Sequence, residues 1–255
     1  MAQGGFGANT GIGDAVDLGW KLAATLQGWG GPALLDSYEQ ERRPIAVRNV
    51  TEASSNWRAD AQLVPDPALD RMDAEGERLR RELGEEIRRS RAKEFRCTGV
   101  QLGYRYSGSP ICVPDGSPEP PDEPDEYVPS TWPGCRAPHV WLPDGSSVLD
   151  HFGRGFTLVV SGSADPTPVV QAARGCGVPL TVLRLADRAA VELYERPLVL
   201  VRPDGHVGWR GRQAPADPTA VLDVLRGATL PPRDAEAEAV GAWRAVSAGV
   251  GPHLV

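Results

Sequence analysis

The stretch that most constrains this chain is a glycine-dense segment at residues 4–11 that runs directly into an apolar helix. Its glycines remove side chains that would keep another molecule away from the backbone. Apolar residues then recur at helical spacing, and we predict that they form the buried face of the helix: Ile12, Ala15, Val16, Gly19, Leu22, Ala23 and Leu26. The first turn of such a helix has unpaired N–H groups and partial positive charge, which favours a flat or anionic ligand.

The residues alone leave three interpretations of this helix start open. A phosphate-binding loop would end in Gly-Lys-Ser or Gly-Lys-Thr, which this segment lacks. A dinucleotide-binding fingerprint would need a preceding strand and a third glycine where Thr10 stands. The third interpretation is a glycine-rich helix start that binds no ligand.

Two further motifs follow the helix: Leu35-Asp36-Ser37-Tyr38-Glu39 and Glu41-Arg42-Arg43-Pro44. Together with residues 4–23 they closely resemble the FAD-dependent aromatic hydroxylases of the phenol hydroxylase and polyketide hydroxylase kind. The resemblance implies a flavoprotein monooxygenase that uses FAD, NAD(P)H and O2 to hydroxylate an aromatic or polyketide substrate. It also implies that the helix start faces the isoalloxazine ring, through these cofactor-binding residues: Gly5, Gly7, Ala8, Asn9 and Thr10. We assign no catalytic acid or base and no metal ligand.

The resemblance covers only part of such a hydroxylase. Members of the family begin with a strand–GxGxxG–helix unit that holds the ADP half of FAD, and this sequence contains no such unit. We therefore expect a carboxyl-terminal portion (a truncated reading frame, a misplaced start or a stand-alone remnant) that binds FAD weakly or not at all by itself. A homodimer or a separately encoded Rossmann-containing chain is an open alternative for the partner. The alternative function is a non-catalytic interaction module.

Composition narrows the classes of partner. The net charge of −7 and the pI near 5.2 argue against nucleic acid and anionic membranes. No apolar run approaches the ~20 residues of a transmembrane helix, and no basic leader region is evident, so we expect a cytoplasmic protein. The cysteines lie far apart and lack zinc-ligand spacing: Cys97, Cys112, Cys135 and Cys176.

The residues after the first helix are predicted to form two helices and one strand. Residues 33–46 form a second helix that Pro44 bends or ends, and residues 71–95 form a charged surface helix. Residues 99–106 alternate between apolar and polar side chains, which predicts a half-buried strand with its tyrosines in the core. The proline-rich, acidic residues 113–130 are predicted to be an extended linker.

This linker divides the predicted domains into residues 1–112 and residues 131–230. The second domain has the element order βαβαββα, which is typical of a thioredoxin-like fold, so the whole chain is of the α/β (α+β) class. Strands are predicted at residues 156–160, 180–185, 198–202 and 207–210, and helices at residues 166–174, 187–194 and 218–226.

Three smaller expectations concern the second domain and the tail. Ser161-Gly162-Ser163-Ala164 stands where a redox thioredoxin carries CxxC, so we expect no thiol–disulfide exchange. Pro197 is a candidate cis proline, and the widely spaced histidines at 139, 151 and 206 are expected to be surface or hydrogen-bonded residues. The tail, residues 231–255, is either one more helix or a frayed end.

Overall fold

The computed structural model describes residues 6–61 and 66–229 and has a helical half and a sheet half. The helical half contains α1 (Phe6–Leu26), α2 (Ser37–Ala61), a 3₁₀ turn (Pro67–Asp70), α3 (Ala74–Phe95) and α4 (Thr98–Leu102). The sheet half contains a 3₁₀ turn (Val148–His151), β1 (Phe156–Ser161), α5 (Thr167–Gly175), β2 (Leu180–Leu185), α6 (Arg188–Leu193), β3 (Leu198–Val201), β4 (Val207–Gly211) and α7 (Pro218–Leu225). The predicted mixed fold is confirmed. The predicted tail lies outside the described residues.

The sheet half has the predicted βαβαββα order around a four-stranded sheet, β2–β1–β3–β4. β1 pairs in parallel with β2 and antiparallel with β3, and β4 is antiparallel to β3. Asp187 and Asp217 cap α6 and α7 by accepting hydrogen bonds from main-chain N–H groups of the first turn. The peptide bond before Pro197 is trans, so the expected cis proline is wrong.

Helix α1 packs through the face opposite to the predicted one. Its buried residues are Phe6, Asp17, Trp20, Lys21 and Ala24. The predicted apolar stripe faces outward instead, and Ile12 is 62% exposed while Leu26 is 86% exposed. The prediction failed because apolar residues occupy both faces of this helix, and the packed face carries two charged residues that a hydropathy pattern places in solvent.

Helix α2 begins at Ser37, later than predicted, and continues through Pro44 to Ala61. Pro44 removes one main-chain hydrogen bond but does not end the helix. Gln40, whose carbonyl loses that bond, is an exposed residue, so hydration replaces the lost donor.

The predicted strand at residues 99–106 is wrong, because the first half of this stretch is the helical turn α4. Gly99 lies so close to the main chain of Glu123 that an added Cβ would be 1.7 Å from its carbonyl oxygen. The alternating pattern was misleading because residues 99–102 pack on the 113–130 segment as a helical turn, and the pairing of this stretch is limited to an antiparallel bridge between Arg105 and Cys135.

The 113–130 segment contains no helix or strand, but charged contacts hold it in place. Its carboxylates pair with arginines from both halves: Asp115 with Arg210 at 2.7 Å, Glu119 with Arg105 at 2.5 Å and Asp122 with Arg48 at 2.7 Å. The segment is therefore a strap across the molecule, and the division into two domains at this point stays a prediction.

One hydrophobic cluster crosses that predicted boundary. Trp20 and Trp29 of the helical half stack with their ring centroids 6.3 Å apart, and both rings meet Phe156 of β1 edge-on. Buried residues from both halves complete the cluster: Ala24, Leu34, Ile111, Leu158, Leu198, Leu200, Trp209, Leu222 and Leu225. The helices and the sheet therefore share a core.

Candidate functional site

The first turn of α1 is open to solvent. Phe6 is buried and anchors it. The next three residues, all predicted to contact the cofactor, are exposed: Gly7, Ala8 and Asn9. An added Cβ at Gly7 or Gly11 would meet no atom of the described residues within 4 Å, so that part of the chain leaves this backbone accessible. Gly5 lies outside the described residues, and its role stays a prediction.

Thr10, the fifth predicted contact, is tied into the protein by its side chain. Its hydroxyl donates to the carbonyl oxygen of Phe6 at 2.7 Å and accepts from Nδ2 of Asn49 at 2.8 Å. The carbonyl oxygen of Thr10 accepts from Nη2 of Arg42 at 3.3 Å. The Thr10 hydroxyl therefore has a structural role, because it links the first turn of α1 to α2.

Arg42 of α2 clamps the start of α1. Its Nε donates to Asp14 at 2.8 Å, and its Nη1 donates to the hydroxyl of Tyr106 at 3.2 Å. Gly13 makes room for it, since an added Cβ there would lie 2.7 Å from Arg42 Nη2. Burial by itself would lower the pKa of Arg42, but Tyr106 and Asp14 hold that pKa above its usual range. A buried cation thus holds this turn in place.

A buried charge cluster (Asp17, Lys21, Glu41, Arg202 and Asp204) lies between α1, α2 and the end of β3. Nζ of Lys21 is 2.8 Å from Asp17 and 2.6 Å from Glu41. Arg202 contacts both carboxylate oxygens of Glu41, at 2.5 and 2.9 Å, and lies 3.3 Å from Asp17 and 2.6 Å from Asp204. These side chains are at most 2% exposed. The cluster therefore joins α1, the helix that the sequence predicts to face the flavin, to the sheet half.

The buried charge cluster holds three carboxylates and two cations, so one carboxylate lacks a full countercharge. Burial is the main cause that raises the pKa of Asp17 to about 7, and repulsion by Glu41 and Asp204 adds to it. Burial acts in the same direction on those two carboxyls, but Arg202 holds the pKa of each below its usual value. Asp17 is therefore the carboxyl that takes up a proton near neutral pH.

His206 is buried beside this cluster, and its predicted surface or hydrogen-bonded role is wrong. Its ring centroid lies 5.3 Å from that of Tyr104 and 4.3 Å from that of Tyr106. Neither ring nitrogen has a hydrogen-bond partner among the described residues, and Nδ1 is 3.6 Å from Asp204. The three rings pack as a triangle, since the centroids of the two tyrosines are themselves 6.1 Å apart. By contrast, His151 hydrogen-bonds Ser146 at 2.9 Å, as predicted.

A cleft of about 180 Å³ lies between α2 and residues 104–107. Arg48 and Arg105 in its wall are already paired with carboxylates of the strap. None of the predicted cofactor residues lines this cleft. The cleft and the open first turn of α1 are therefore separate features.

The described residues were also compared with the requirements of a metal site, a reactive thiol and a membrane-spanning helix. Within the described ranges, no three His, Cys, Asp or Glu side chains are grouped to hold a metal ion. None of the four cysteines, all of which are described, forms a disulfide, and burial raises the pKa of Cys112 to about 11 and that of Cys135 to about 12. A search of the described helices finds none with both the length and the apolar character to cross a bilayer.

Comparison with known proteins identifies the families and relatives that this chain resembles. Residues 1–53 match the FAD binding domain family, and residues 130–229 match the carboxyl-terminal domain of aromatic-ring hydroxylases. The chain is 39% identical to the FAD-dependent monooxygenase opdD of Penicillium oxalicum, over 89% of this chain and 45% of opdD. It is 34% identical to phenol 2-monooxygenase of a Pseudomonas species, over 91% of this chain and 44% of that enzyme. This chain is homologous to the carboxyl-terminal part of the FAD-dependent aromatic hydroxylases.

A solved structure agrees with this relationship. The structure described as native and K252c-bound RebC-10x matches this hydroxylase homologue with a TM-score of 0.83 and 45% identity, over 89% of this chain and 43% of that chain. The predicted resemblance is confirmed. The chain spans about two-fifths of the length of these relatives.

Sequence reasoning missed the residues that hold the site of this hydroxylase homologue together. Arg42 stands out in the sequence only as a member of the Glu41-Arg42-Arg43-Pro44 motif, and no pattern singles out Asn49 or Arg202. The one local signal is a second arginine beside Arg43. Glu39 and Arg43 form an exposed pair at 3.0 Å, as their four-residue spacing allows, and leave Arg42 on another face.

Proposed function

We propose that this chain provides the flavin-facing helix and the thioredoxin-like domain of an FAD-dependent monooxygenase. Its homologues are FAD-dependent aromatic and polyketide monooxygenases, which supports this general function. The proposed substrate is an aromatic or polyketide ring, with NAD(P)H as the reductant and O2 as the oxidant. Bound FAD supplies the redox chemistry, and the residues of the chain bind and orient it.

The observation that carries this proposal is the open first turn of α1. Main-chain N–H groups at a helix start carry partial positive charge and stabilise negative charge placed beside them. Gly7, Ala8 and Asn9 are exposed there, and no side chain of the described residues fills the space above Gly7. We propose that these residues, together with Gly5 and Thr10, contact the flavin ring mostly through their backbone.

The test is a flavin titration of the purified chain, followed by difference absorbance. Because the sequence has no GxGxxG unit for the ADP half, we expect FAD and riboflavin to bind with similar, weak dissociation constants on the order of 1 mM. We expect Gly7→Val, which projects into open space, to weaken both at least about 10-fold, whereas Gly84→Val in α3 leaves them unchanged. Equal binding by parent and Gly7→Val would contradict the proposal.

A non-catalytic interaction module is the second candidate function. It is favoured by a feature of α1 that flavin contact does not explain, namely the apolar face turned toward solvent. A chain that shows no spectral change with either flavin at millimolar concentration belongs to this second class.

A further inference from the structure

The cleft of about 180 Å³ between α2 and residues 104–107 has walls that the rest of the chain holds in place. Ile45 on the α2 side is 4% exposed, and Tyr106 on the other side is 3% exposed. Arg48 is fixed by two hydrogen bonds to Asp122 of the strap, at 2.7 and 3.0 Å. The cleft is therefore formed before any ligand arrives, as small-molecule sites usually are.

Every charged side chain that the structure describes in the wall of this cleft already has a partner of opposite charge. Arg48 pairs with Asp122, and Arg105 pairs with Glu119. Glu41 pairs with both cations of the buried charge cluster. A charged ligand would have to break one of these pairs or be buried without a partner, and either change costs free energy. The cleft therefore favours an uncharged ligand.

The uncharged part of the wall is aliphatic and aromatic. Pro44 and Ile45 supply aliphatic surface from α2, and Tyr104 and Tyr106 supply two rings from the other side. Burial raises the pKa of Tyr106 above its usual value, so this side chain carries no charge near neutral pH. Contacts between aromatic rings stabilise a complex beyond the area that they bury. These walls therefore favour an aromatic ligand over an aliphatic one.

Two exposed polar residues, Gln40 and Ser107, complete the wall at its rim. The Ser107 hydroxyl donates to Glu119, so its oxygen can still accept a hydrogen bond. The amide of Gln40 offers both a donor and an acceptor. A hydroxyl group on the ligand can therefore be hydrogen-bonded at the rim while the ring lies in the cleft.

The volume of the cleft limits the ligand to one ring. An apolar protein cavity of about 150 Å³ holds a single benzene molecule. The cleft is slightly larger, at about 180 Å³, which leaves room for one or two small substituents but not for a fused ring system.

We propose that this cleft binds an uncharged aromatic molecule of one ring that carries a hydroxyl group, such as phenol. None of the residues predicted to bind the cofactor lines the cleft. Phenol binding here goes beyond the proposed function and does not depend on it, so the chain should bind phenol whether or not it binds flavin.

The experiment is a titration of the full chain with phenol, followed by two-dimensional amide NMR at neutral pH without flavin. We expect saturable shifts confined to α2 and residues 104–107, with a dissociation constant on the order of 1 mM. Benzoate is a probe with the same ring and a negative charge, and we expect it to bind at least about 10-fold more weakly. Cyclohexanol keeps the hydroxyl without the aromatic ring, and we expect it to bind about 5-fold more weakly.

Two variants block the cleft from its rim and leave its buried walls unchanged. Gln40→Trp on α2 and Ser107→Trp on the other side each place an indole ring at the opening. Because a small-molecule site buries most of its ligand, we expect each variant to weaken phenol binding at least about 10-fold with unchanged circular dichroism. Val47→Trp is the matched control, since Val47 is an exposed residue of α2 that does not line the cleft, and it should bind phenol like the parent chain.

Several outcomes would overturn the proposal. They are shifts that do not saturate, saturable shifts confined to another part of the chain, equal binding of benzoate or cyclohexanol, and parent-like binding by both rim variants. A chain that binds phenol in this cleft but shows no spectral change with flavin would contradict the proposed function alone, so the two failures are distinguishable.

Discussion

At the scale of single residues, the carboxyl of Asp17 is a group whose burial has a measurable consequence. Its pKa is about 7 in the folded chain, against 3.8 for an ordinary aspartate. Between these two values the folded state holds a proton that the unfolded state has released. The stabilisation from this proton is complete below about pH 4 and is lost as the pH rises to about 7.

We therefore predict that the free energy of unfolding falls from pH 5 to pH 8 by up to about 3 kcal/mol, because about two pH units of the Asp17 shift lie above pH 5. Below about pH 4 the trend reverses, because Glu41 and Asp204 have lowered pKa values and lose their stabilising charge. Urea unfolding across this range measures the effect. Asp17→Asn should flatten the decline above pH 5, whereas Glu39→Gln on the exposed surface should keep it. A flat profile for the parent chain would contradict the prediction.

Arg202 provides the second residue-scale prediction. It neutralises carboxylates from α1, α2 and its own loop, so Arg202→Met leaves the three carboxylates of the cluster with Lys21 as their one cation. We expect a loss of about 3–5 kcal/mol in the free energy of unfolding. Arg43→Met is the control, because its ion pair is exposed and is worth no more than about 1 kcal/mol. Similar losses of unfolding free energy for the two variants would show that the buried ion pairs contribute no more to stability than the exposed one.

At the scale of the element, two glycines of α1 make opposite predictions for the same substitution. Gly19 faces open space, so Gly19→Ala should raise the free energy of unfolding by about 0.5–1 kcal/mol through helix propensity. Gly13→Ala has the same intrinsic gain, but its Cβ would lie 2.7 Å from the Arg42 guanidinium, which three hydrogen bonds fix in place. We expect that variant to be destabilised. Thermal unfolding of the two variants tests this expectation. An equal rise in the free energy of unfolding for both would show that Arg42 does not hold this part of α1 in place.

At the scale of the whole molecule, the shared core predicts that the helices and the sheet unfold together. Trp29→Ala removes a ring that is 5% exposed and contacts both Trp20 and Phe156. We expect a loss of about 3–5 kcal/mol and coincident loss of amide protection in α1 and β1 by hydrogen exchange.

Trp141→Ala is the control for this core prediction, because that ring is 68% exposed, and the expected change is within about 0.5 kcal/mol. Separate transitions for α1 and β1 in the parent chain would indicate two independent cores. The strap at residues 113–130 would then be a true linker.

Local patterns predicted the elements of the sheet half correctly because the signals that define each strand and helix lie within that element or directly beside it. Buried runs such as residues 198–201 are bounded by turn residues, and the caps at Asp187 and Asp217 are local contacts. The strand predicted at residues 99–106 was wrong for the opposite reason, since these residues pack on the strap and, through Tyr104 and Tyr106, against the tilted ring of His206. Such partners lie too far away along the chain for a periodicity to reveal them.

The sequence by itself determined the order of the elements, the thioredoxin-like topology of the sheet half and the glycine-rich helix start that resembles a flavin-binding segment. These features depend on the spacing of neighbouring residues and on backbone freedom. Only the tertiary structure decided which face of α1 is packed, that Arg42 and Asn49 hold its first turn, and that Arg202 joins Asp17 and Glu41. Those contacts join residues up to 185 positions apart, and their energies depend on burial that no local pattern contains.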